Sequence, residues 1–125
     1  MLERDIEKIL VKEIKAAGGL AYKFVSPGND GVPDRIVILP GGEVIFVELK
    51  TDTGRLTKLQ TVQVERIRKT GATVWVVKGL TGLGMFFSWC GLMEAAARVL
   101  KMIEKNAHEG VRKKGPETTQ KMHEF

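Results

Sequence analysis

The sequence is poor in the residues that build disulfides and histidine-rich metal sites. It contains one cysteine, Cys90, and two histidines, His108 and His123, in 125 residues. A lone cysteine cannot form an internal disulfide, and the apolar residues around Cys90 place it in the predicted core. The histidines lack any partner pattern, so we assign them no role. The low cysteine content favours an intracellular protein.

Long apolar runs are also absent. No run approaches the roughly 18 residues that a membrane span needs, and the charged residues 1–8 are not expected to act as a signal peptide. The composition, with 43% hydrophobic and 28% charged residues, is that of a globular protein. A net charge of +5 makes a polyanionic partner a mild expectation.

Periodicity and turn residues predict an α/β fold in the order α-β-β-β-α-β-α, with a mixed sheet flanked by helices. Pro40-Gly41-Gly42 should join two strands into an antiparallel hairpin, and the later strand–helix–strand unit should form a parallel pair. One domain is expected over residues 1–105, followed by a polar, flexible tail over 106–125. The predicted helices span 3–17, 57–69 and about 82–105, and the strands span 20–25, 34–39, 43–50 and 72–78.

Three charged residues stand at the ends of the two most apolar predicted strands. Asp34 opens the first strand, while Glu48 and Lys50 close the second. Side chains alternate between the faces of a strand, so Glu48 and Lys50 project to the same side. The tight turn brings the start of the first strand beside the end of the second. The hairpin is therefore predicted to gather all three charges at the sheet edge farthest from the turn.

Two carboxylates at this separation repel each other unless a cation lies between them. Carboxylate oxygens suit Mg²⁺ or Mn²⁺, which keeps several waters and is completed by substrate phosphates. A lysine beside such an ion can hold the attacking water, and the three residues together outline a phosphodiester-hydrolysis site. Each charge taken alone is more often a solvated surface group. Their combination at the ends of two paired strands favours the site.

Pro33-Asp34, followed after thirteen residues by Glu48-Leu49-Lys50, resembles the PD-(D/E)xK nuclease signature. A closer resemblance is to the VRR-NUC family, the virus-type replication–repair nucleases, and it covers residues 3–80. It implies a restriction-endonuclease-like core and a DNA-repair nuclease, which in phages is a small stand-alone protein that cleaves Holliday junctions as a homodimer. The segments that carry it are GVPDR at 31–35, VELKT at 47–51 and GRLT at 54–57, together with Gln60.

On this resemblance, the sequence predicts a metal-dependent endonuclease acting on DNA, with branched DNA as the expected substrate. Asp34, Glu48 and the backbone carbonyl of Leu49 are expected to hold Mg²⁺ or Mn²⁺, and Lys50 to orient the nucleophilic water. The expected location is the cytoplasm, or the host cytoplasm for a phage protein. One alternative is a non-catalytic nucleic-acid-binding domain of the same fold. Another is an assembly protein whose charges form a salt-bridge network.

The superfamily also places an acid on the first helix, where three glutamates compete. Glu7 shares one helical stripe with Leu10 and Ile14, which predicts that it faces the sheet and reaches the metal directly or through water. Glu3 lies on the same stripe one turn earlier and is the second choice. Glu13 is predicted to be a rim charge.

Further residues are expected around the site. Gln60 matches a glutamine of the family, but it also completes a capping box with Thr57, and the sequence does not separate the two roles. Arg55 and Lys58 are expected to grip the DNA backbone without reading its sequence. The loop that contains Ser26 and Asn29 should bring backbone N–H groups to phosphate.

The apolar segment 83–90 allows two interpretations. It is more uniformly apolar than a one-sided surface helix, so core is the first interpretation and a dimer interface is the second. The basic run at residues 112–114 is interpreted as part of the tail, with phosphate binding as the alternative.

Overall fold

The computed structural model describes residues 1–114, which form a four-stranded mixed sheet with helices on both faces. The predicted α/β class is confirmed. The strands follow one another in the order β1-β2-β3-β4. The elements are α1 (Glu3–Ala16), β1 (Leu20–Lys23), β2 (Arg35–Ile38), β3 (Val44–Lys50), α2 (Lys58–Lys69), β4 (Thr73–Lys78), α3 (Gly79–Trp89) and α4 (Met93–Lys114).

The strand pairings agree with the turn and crossover signals. β2 and β3 form the antiparallel hairpin, with Arg35 opposite Val47. Its turn contains Gly41 and Gly42 at φ +100° and +96°, which residues with a Cβ rarely adopt. β1 pairs antiparallel with β2, and β4 pairs parallel with β3.

One face of the sheet carries the main core. α1 and α3 cover this face and α4 packs against α3, and each large side chain buried there contributes about 2 kcal/mol. The strand residues of this core are Val37, Ile45, Val47, Leu49 and Val77, and the largest helix residues are Ile6, Leu10, Ile14, Leu83, Phe86 and Phe87.

The opposite face is only partly covered. α2 packs against β4 and leaves the other strands of this face uncovered. Val64 of α2 and Val74 of β4 are buried there. Over β1, β2 and β3, apolar side chains reach the surface, and Tyr22 is 58% exposed. We call this surface the outer face. Alternation and register assign to it Leu20, Tyr22, Ile36, Ile38, Val44 and Phe46.

The single helix predicted over 82–105 is in fact two helices. α3 ends at Trp89, where Gly91 adopts φ +77° and the Leu92 N–H donates to the Phe87 carbonyl at 2.8 Å, closing the helix end. α4 then continues to Lys114, so residues 106–114 of the predicted tail are helical. Residues 115–125, the rest of that tail, lie outside the described part of the chain. Within residues 1–114, no helix is both long and apolar enough to span a bilayer.

Cys90, at the end of α3, packs against the core cluster. Burial raises the pKa of its thiol to about 12. The thiolate is the nucleophilic form of cysteine, so Cys90 is a core residue and not a reactive one.

Candidate active site

Asp34 and Glu48 face each other across the β2–β3 hairpin. The register places Arg35 opposite Val47, so Asp34, one residue earlier, comes level with Glu48, one residue later. The Asp34 backbone N–H donates to Glu48 Oε1 at 3.3 Å. Because Asp34 and Glu48 alternate with core residues, both project to the side of the outer face. The structure thus brings the two acids together as the sequence predicts.

Glu48 is the most enclosed charge of this cluster. Only 2% of its surface is exposed. Lys50 Nζ lies 3.5 Å from Glu48 Oε2, and the Gln60 side-chain amide donates to the same oxygen at 3.4 Å. The side chain of Lys50 is itself only 15% exposed. All three predicted charges therefore meet at one end of the sheet, with the exposed Asp34 forming the rim.

The ionised form of Glu48 is disfavoured in this environment. Burial raises the pKa of Glu48, and the negative charge of Asp34 raises it further. Lys50 and the Asp34 backbone N–H oppose this shift without cancelling it. A buried carboxyl group with a raised pKa beside a second acid is typical of a site that gains from an added cation.

Gln60 performs both of the roles that the sequence left open. Its side-chain oxygen accepts from the Thr57 backbone N–H at 2.9 Å, and its own backbone N–H donates to Thr57 Oγ1 at 3.1 Å. This is the predicted capping box at the start of α2. The amide nitrogen of the same side chain faces Glu48. The cap thus fixes the position of a hydrogen-bond donor to the buried acid.

A glycine sets the distance between the loop before β2 and the start of α2. Gly31 has φ +92°, and a Cβ there would lie 2.7 Å from the backbone carbon of Leu59. Any larger residue would push the loop away from α2. This close approach holds Asp34 and Gln60 on either side of Glu48.

Glu7 forms an ion pair that the sequence does not indicate, and its role toward the metal stays a prediction. Glu7 does face the sheet, but Oε1 accepts from the Arg35 guanidinium at 2.8 Å. Arg35 follows Asp34 in β2, so its side chain points to the α1 side, away from the acid pair. The helical stripe predicts that Glu7 faces the sheet without indicating this partner. Glu3 is exposed at the start of α1.

The expectation that Glu13 is a rim charge is wrong. Glu13 is 4% exposed and forms two hydrogen bonds with Arg98 of α4, at 2.7 and 2.8 Å. These hydrogen bonds lower the pKa of Glu13. The pair ties α1 to α4, and a sequence separation of 85 residues hides it from local pattern analysis.

The predicted DNA contacts lie at the surface near this site. Arg55 and Lys58 are exposed and form no ion pair within the described residues. The Asn29 side chain donates to Ser26 Oγ at 2.8 Å, so these two side chains stabilise their own loop. The Arg68 guanidinium donates to the Val74 carbonyl at 2.7 Å and is therefore held against β4.

One basic residue of this region escaped the sequence analysis. Lys78 ends β4 directly opposite Lys50 in the parallel pairing. It is exposed, whereas Lys50 is largely enclosed. The available signal was that two strands predicted to pair in parallel both end in lysine.

The metal donors in this region are few. Within residues 1–114, no three His, Cys, Asp or Glu side chains are grouped as a metal site would require. The Asp34 and Glu48 carboxylates remain the donor pair. Leu49 lies between Glu48 and Lys50 with its side chain in the core. The role of its carbonyl therefore stays a prediction.

The fold and the acid–acid–lysine cluster define an α/β protein with a nuclease-type architecture, and comparisons with known proteins agree. No family model matches the chain. The chain is 49% identical over 75 residues to "Putative nuclease p44" of Acyrthosiphon pisum secondary endosymbiont phage 1, covering 60% of this chain and 81% of that protein. A solved "VRR_NUC domain" is 30% identical with a TM-score of 0.59, covering 79% of this chain and 94% of the domain.

The protein belongs to the VRR-NUC family of nucleases. The family predicted from the motifs at residues 31–35 and 47–51 is thereby confirmed.

Proposed function

We propose that the protein is a divalent-metal-dependent endonuclease that hydrolyses phosphodiester bonds in DNA. One observation carries this proposal: a buried acid, Glu48, lies opposite an exposed acid, Asp34, with an enclosed lysine 3.5 Å from Glu48. A domain that only binds nucleic acid gains nothing from two acids in a phosphate groove. Because Asp34 is exposed, a substrate can reach the acid pair from that side, as an active site requires.

The two carboxylates fit a divalent cation. Hard oxygen donors suit Mg²⁺ or Mn²⁺, and Mg²⁺ in proteins commonly has one or two carboxylate ligands with waters and substrate phosphate. Such an ion would stabilise the ionised form of Glu48, which burial and Asp34 disfavour. When bound, it supplies a positive charge that stabilises the transition state of phosphate hydrolysis and favours deprotonation of water. The Leu49 carbonyl is the third proposed donor.

The surrounding residues have separate roles in this proposal. Lys50 positions the attacking water and stabilises the negative charge that builds on the phosphate. Gln60 holds Glu48 in place through the α2 cap. Arg55 and Lys58 contact the DNA backbone, and the loop through Ser26 and Asn29 offers backbone N–H groups. Lys78, beside Lys50, adds a second charge for the phosphate. None of these proposed backbone contacts reads base sequence, so they favour a substrate that is recognised by its shape. We propose that this substrate is branched DNA.

Incubation with labelled duplex, flap, fork and four-way junction DNA tests this function directly. We expect cleavage with Mg²⁺ or Mn²⁺, none with EDTA, and a preference for the branched substrates. Binding without cleavage in either metal would identify the non-catalytic alternative. A protein that fails to bind DNA even at low salt would favour the salt-bridge network.

We also propose that the working form is a homodimer, because two cuts in a junction need two sites. Within the predicted interface at 83–90, Leu83, Phe86 and Phe87 are buried in the protein's own core, as the first interpretation expects, whereas Met85 and Trp89 are 60% and 48% exposed. The outer face is a second candidate, since it is apolar and exposed and lies beside the acid pair. A second copy packed there would place two sites close together.

The oligomeric state separates these surfaces. Wild-type protein should have a mass near twice 13.9 kDa by light scattering. Tyr22→Lys, on the outer face, should give the monomer mass, because burying the charge in an apolar interface is costly. Met85→Lys is the matched control, since Met85 is 60% exposed on α3. Dissociation by Met85→Lys alone would assign the interface to α3 and α4 instead, and a monomeric wild type would exclude the dimer.

A further inference from the structure

A second basic surface lies on the side of the sheet away from the acid pair. Lys8, Lys12 and Lys15 follow one another at i, i+4 and i+7 along α1, so they form one exposed stripe. They line a groove of about 460 Å³ together with Glu7, Val11 and Arg35.

The acid in this groove, Glu7, already has a positively charged partner. Glu7 is bonded to Arg35 at 2.8 Å, and the Arg35 guanidinium also donates to the Ala21 carbonyl at 3.2 Å. Within the described residues, Lys8, Lys12 and Lys15 form no ion pair. Since like charges at i and i+4 repel, the stripe lowers helix stability unless an anion lies against it.

The groove reaches the edge of the sheet close to the proposed site. Lys23 of β1 lies opposite Arg35 in the register, so both project to the α1 side. The residue after β1, Phe24, donates its N–H to the Asp34 carbonyl at 2.7 Å. Asp34 and Arg35 are consecutive and project to opposite faces, so the sheet itself separates this basic surface from the acid pair.

The spacing of the lysines matches a phosphate backbone. Lys8 and Lys15 are separated by seven residues, or about 10 Å along a helix. One strand of B-DNA carries a negative charge about every 3.4 Å of its axis and winds around that axis, so the stripe is long enough to contact more than one phosphate of a strand. Lysines are point charges that read no base sequence, and the groove presents few other polar groups.

We infer that the α1 groove, formed by Lys8, Lys12, Lys15 and the neighbouring Lys23, binds the phosphate backbone of a DNA segment outside the cleaved bond. This inference rests on the proposed function. Arg55 and Lys58 contact DNA on one side of the site, and the α1 groove contacts it on the other. The two surfaces lie on opposite faces of the sheet, so DNA that contacts both must pass around the sheet, as two arms of a branched molecule can and a straight duplex cannot. The α1 groove thereby contributes to selection of branched DNA.

Two matched double variants test this inference. Lys8→Gln with Lys12→Gln removes two charges from the groove, while Lys101→Gln with Lys105→Gln removes two exposed lysines at the same spacing on α4. Affinity for a labelled four-way junction and a labelled straight duplex is measured in EDTA over a range of salt concentrations. Loss of two phosphate contacts should lower the slope of log affinity against log salt by about 2 and weaken junction binding about tenfold or more. The α4 control should leave both unchanged.

The site itself should be unaffected by the groove variant. With Mg²⁺ and saturating junction, kcat should stay at the wild-type value while KM rises. Equal salt slopes for the two double variants, in a wild type that cuts junctions, would overturn the groove and leave the proposed function intact. Equal losses on straight duplex and junction would also contradict a second-arm contact. A wild type that binds through the groove but cuts nothing would reject the proposed function alone.

Discussion

A Glu48→Gln protein is expected to lose DNA cleavage and metal affinity while keeping its fold. Glutamine has the size of glutamate and retains a side-chain oxygen for the Gln60 amide, but it removes the charge that a divalent cation needs. We expect cleavage in Mg²⁺ to fall at least about 10²-fold, since the lost interaction acts on the transition state. Asp34→Asn should give the same loss with a smaller effect on stability, because Asp34 is exposed.

The pH dependence of stability gives this prediction an independent readout. Because the pKa of Glu48 is raised in the folded state, the folded protein binds this proton more tightly than the unfolded chain does. Without metal, the contribution of Glu48 to stability is full below its unfolded-state pKa and is lost as pH rises through its folded-state pKa. Glu48→Gln removes this loss, so the variant should melt at or above the wild-type temperature at neutral pH in EDTA.

Added Mg²⁺ should reverse that order. A ligand that binds only the folded state raises its stability, so Mg²⁺ should raise the melting temperature of the wild type and not that of Glu48→Gln. Melting curves of both proteins with EDTA and with Mg²⁺ make the comparison. If Glu48 belonged only to a salt-bridge network, the variant would be less stable in EDTA and Mg²⁺ would change neither protein. Near-normal cleavage by Glu48→Gln would reject the proposed site.

The acid pair could be predicted because local rules determine it. The glycines at 41–42 specify a tight hairpin, and strand alternation then determines which residues share a face. Once the turn sets the register, Asp34 must lie opposite Glu48. The capping box at Thr57 and Gln60 is equally local and was recognised from four residues of sequence.

Contacts between distant segments could not be predicted in this way. The stripe containing Glu7 indicated the correct orientation toward the sheet, but its partner depends on which strand lies beneath α1. Glu13 is predicted to be a surface acid because its partner, Arg98, lies on the last helix, far away in sequence. A pattern within one element identifies which of its faces is buried. The partner of a charged residue on that face comes from another element, and only the tertiary structure determines which one.

The α3–α4 region shows a third limit, which concerns periodicity. Residues 83–90 lack a polar face because Leu83, Phe86 and Phe87 are fully buried and the exposed positions Met85 and Trp89 are apolar as well. A helix with this environment has no 3.6-residue alternation to mark its ends. Gly91 adopts the left-handed conformation that ends α3, but in the sequence a single glycine inside an apolar run is weak evidence of a helix end.

Lys50→Met is expected to separate chemistry from binding. Methionine retains an unbranched apolar side chain of similar length, so the end of β3 should stay packed in its 15%-exposed environment. The acids remain, and so do the proposed DNA contacts at Arg55 and Lys58. What is lost is the ammonium group 3.5 Å from Glu48, which we propose orients water and stabilises developing charge.

We therefore expect Lys50→Met to bind Mg²⁺ and DNA with near wild-type affinity and to cleave at least about 10²-fold more slowly. Single-turnover cleavage in Mg²⁺, DNA binding in EDTA and the Mg²⁺-induced rise in melting temperature measure the three properties on one preparation. Lys78→Met is the matched control, since it removes the exposed lysine opposite Lys50 in the sheet. It should weaken DNA binding modestly and slow single-turnover cleavage far less. Loss of rate in Lys78→Met alone, with normal cleavage by Lys50→Met, would assign the catalytic charge to β4 instead of β3.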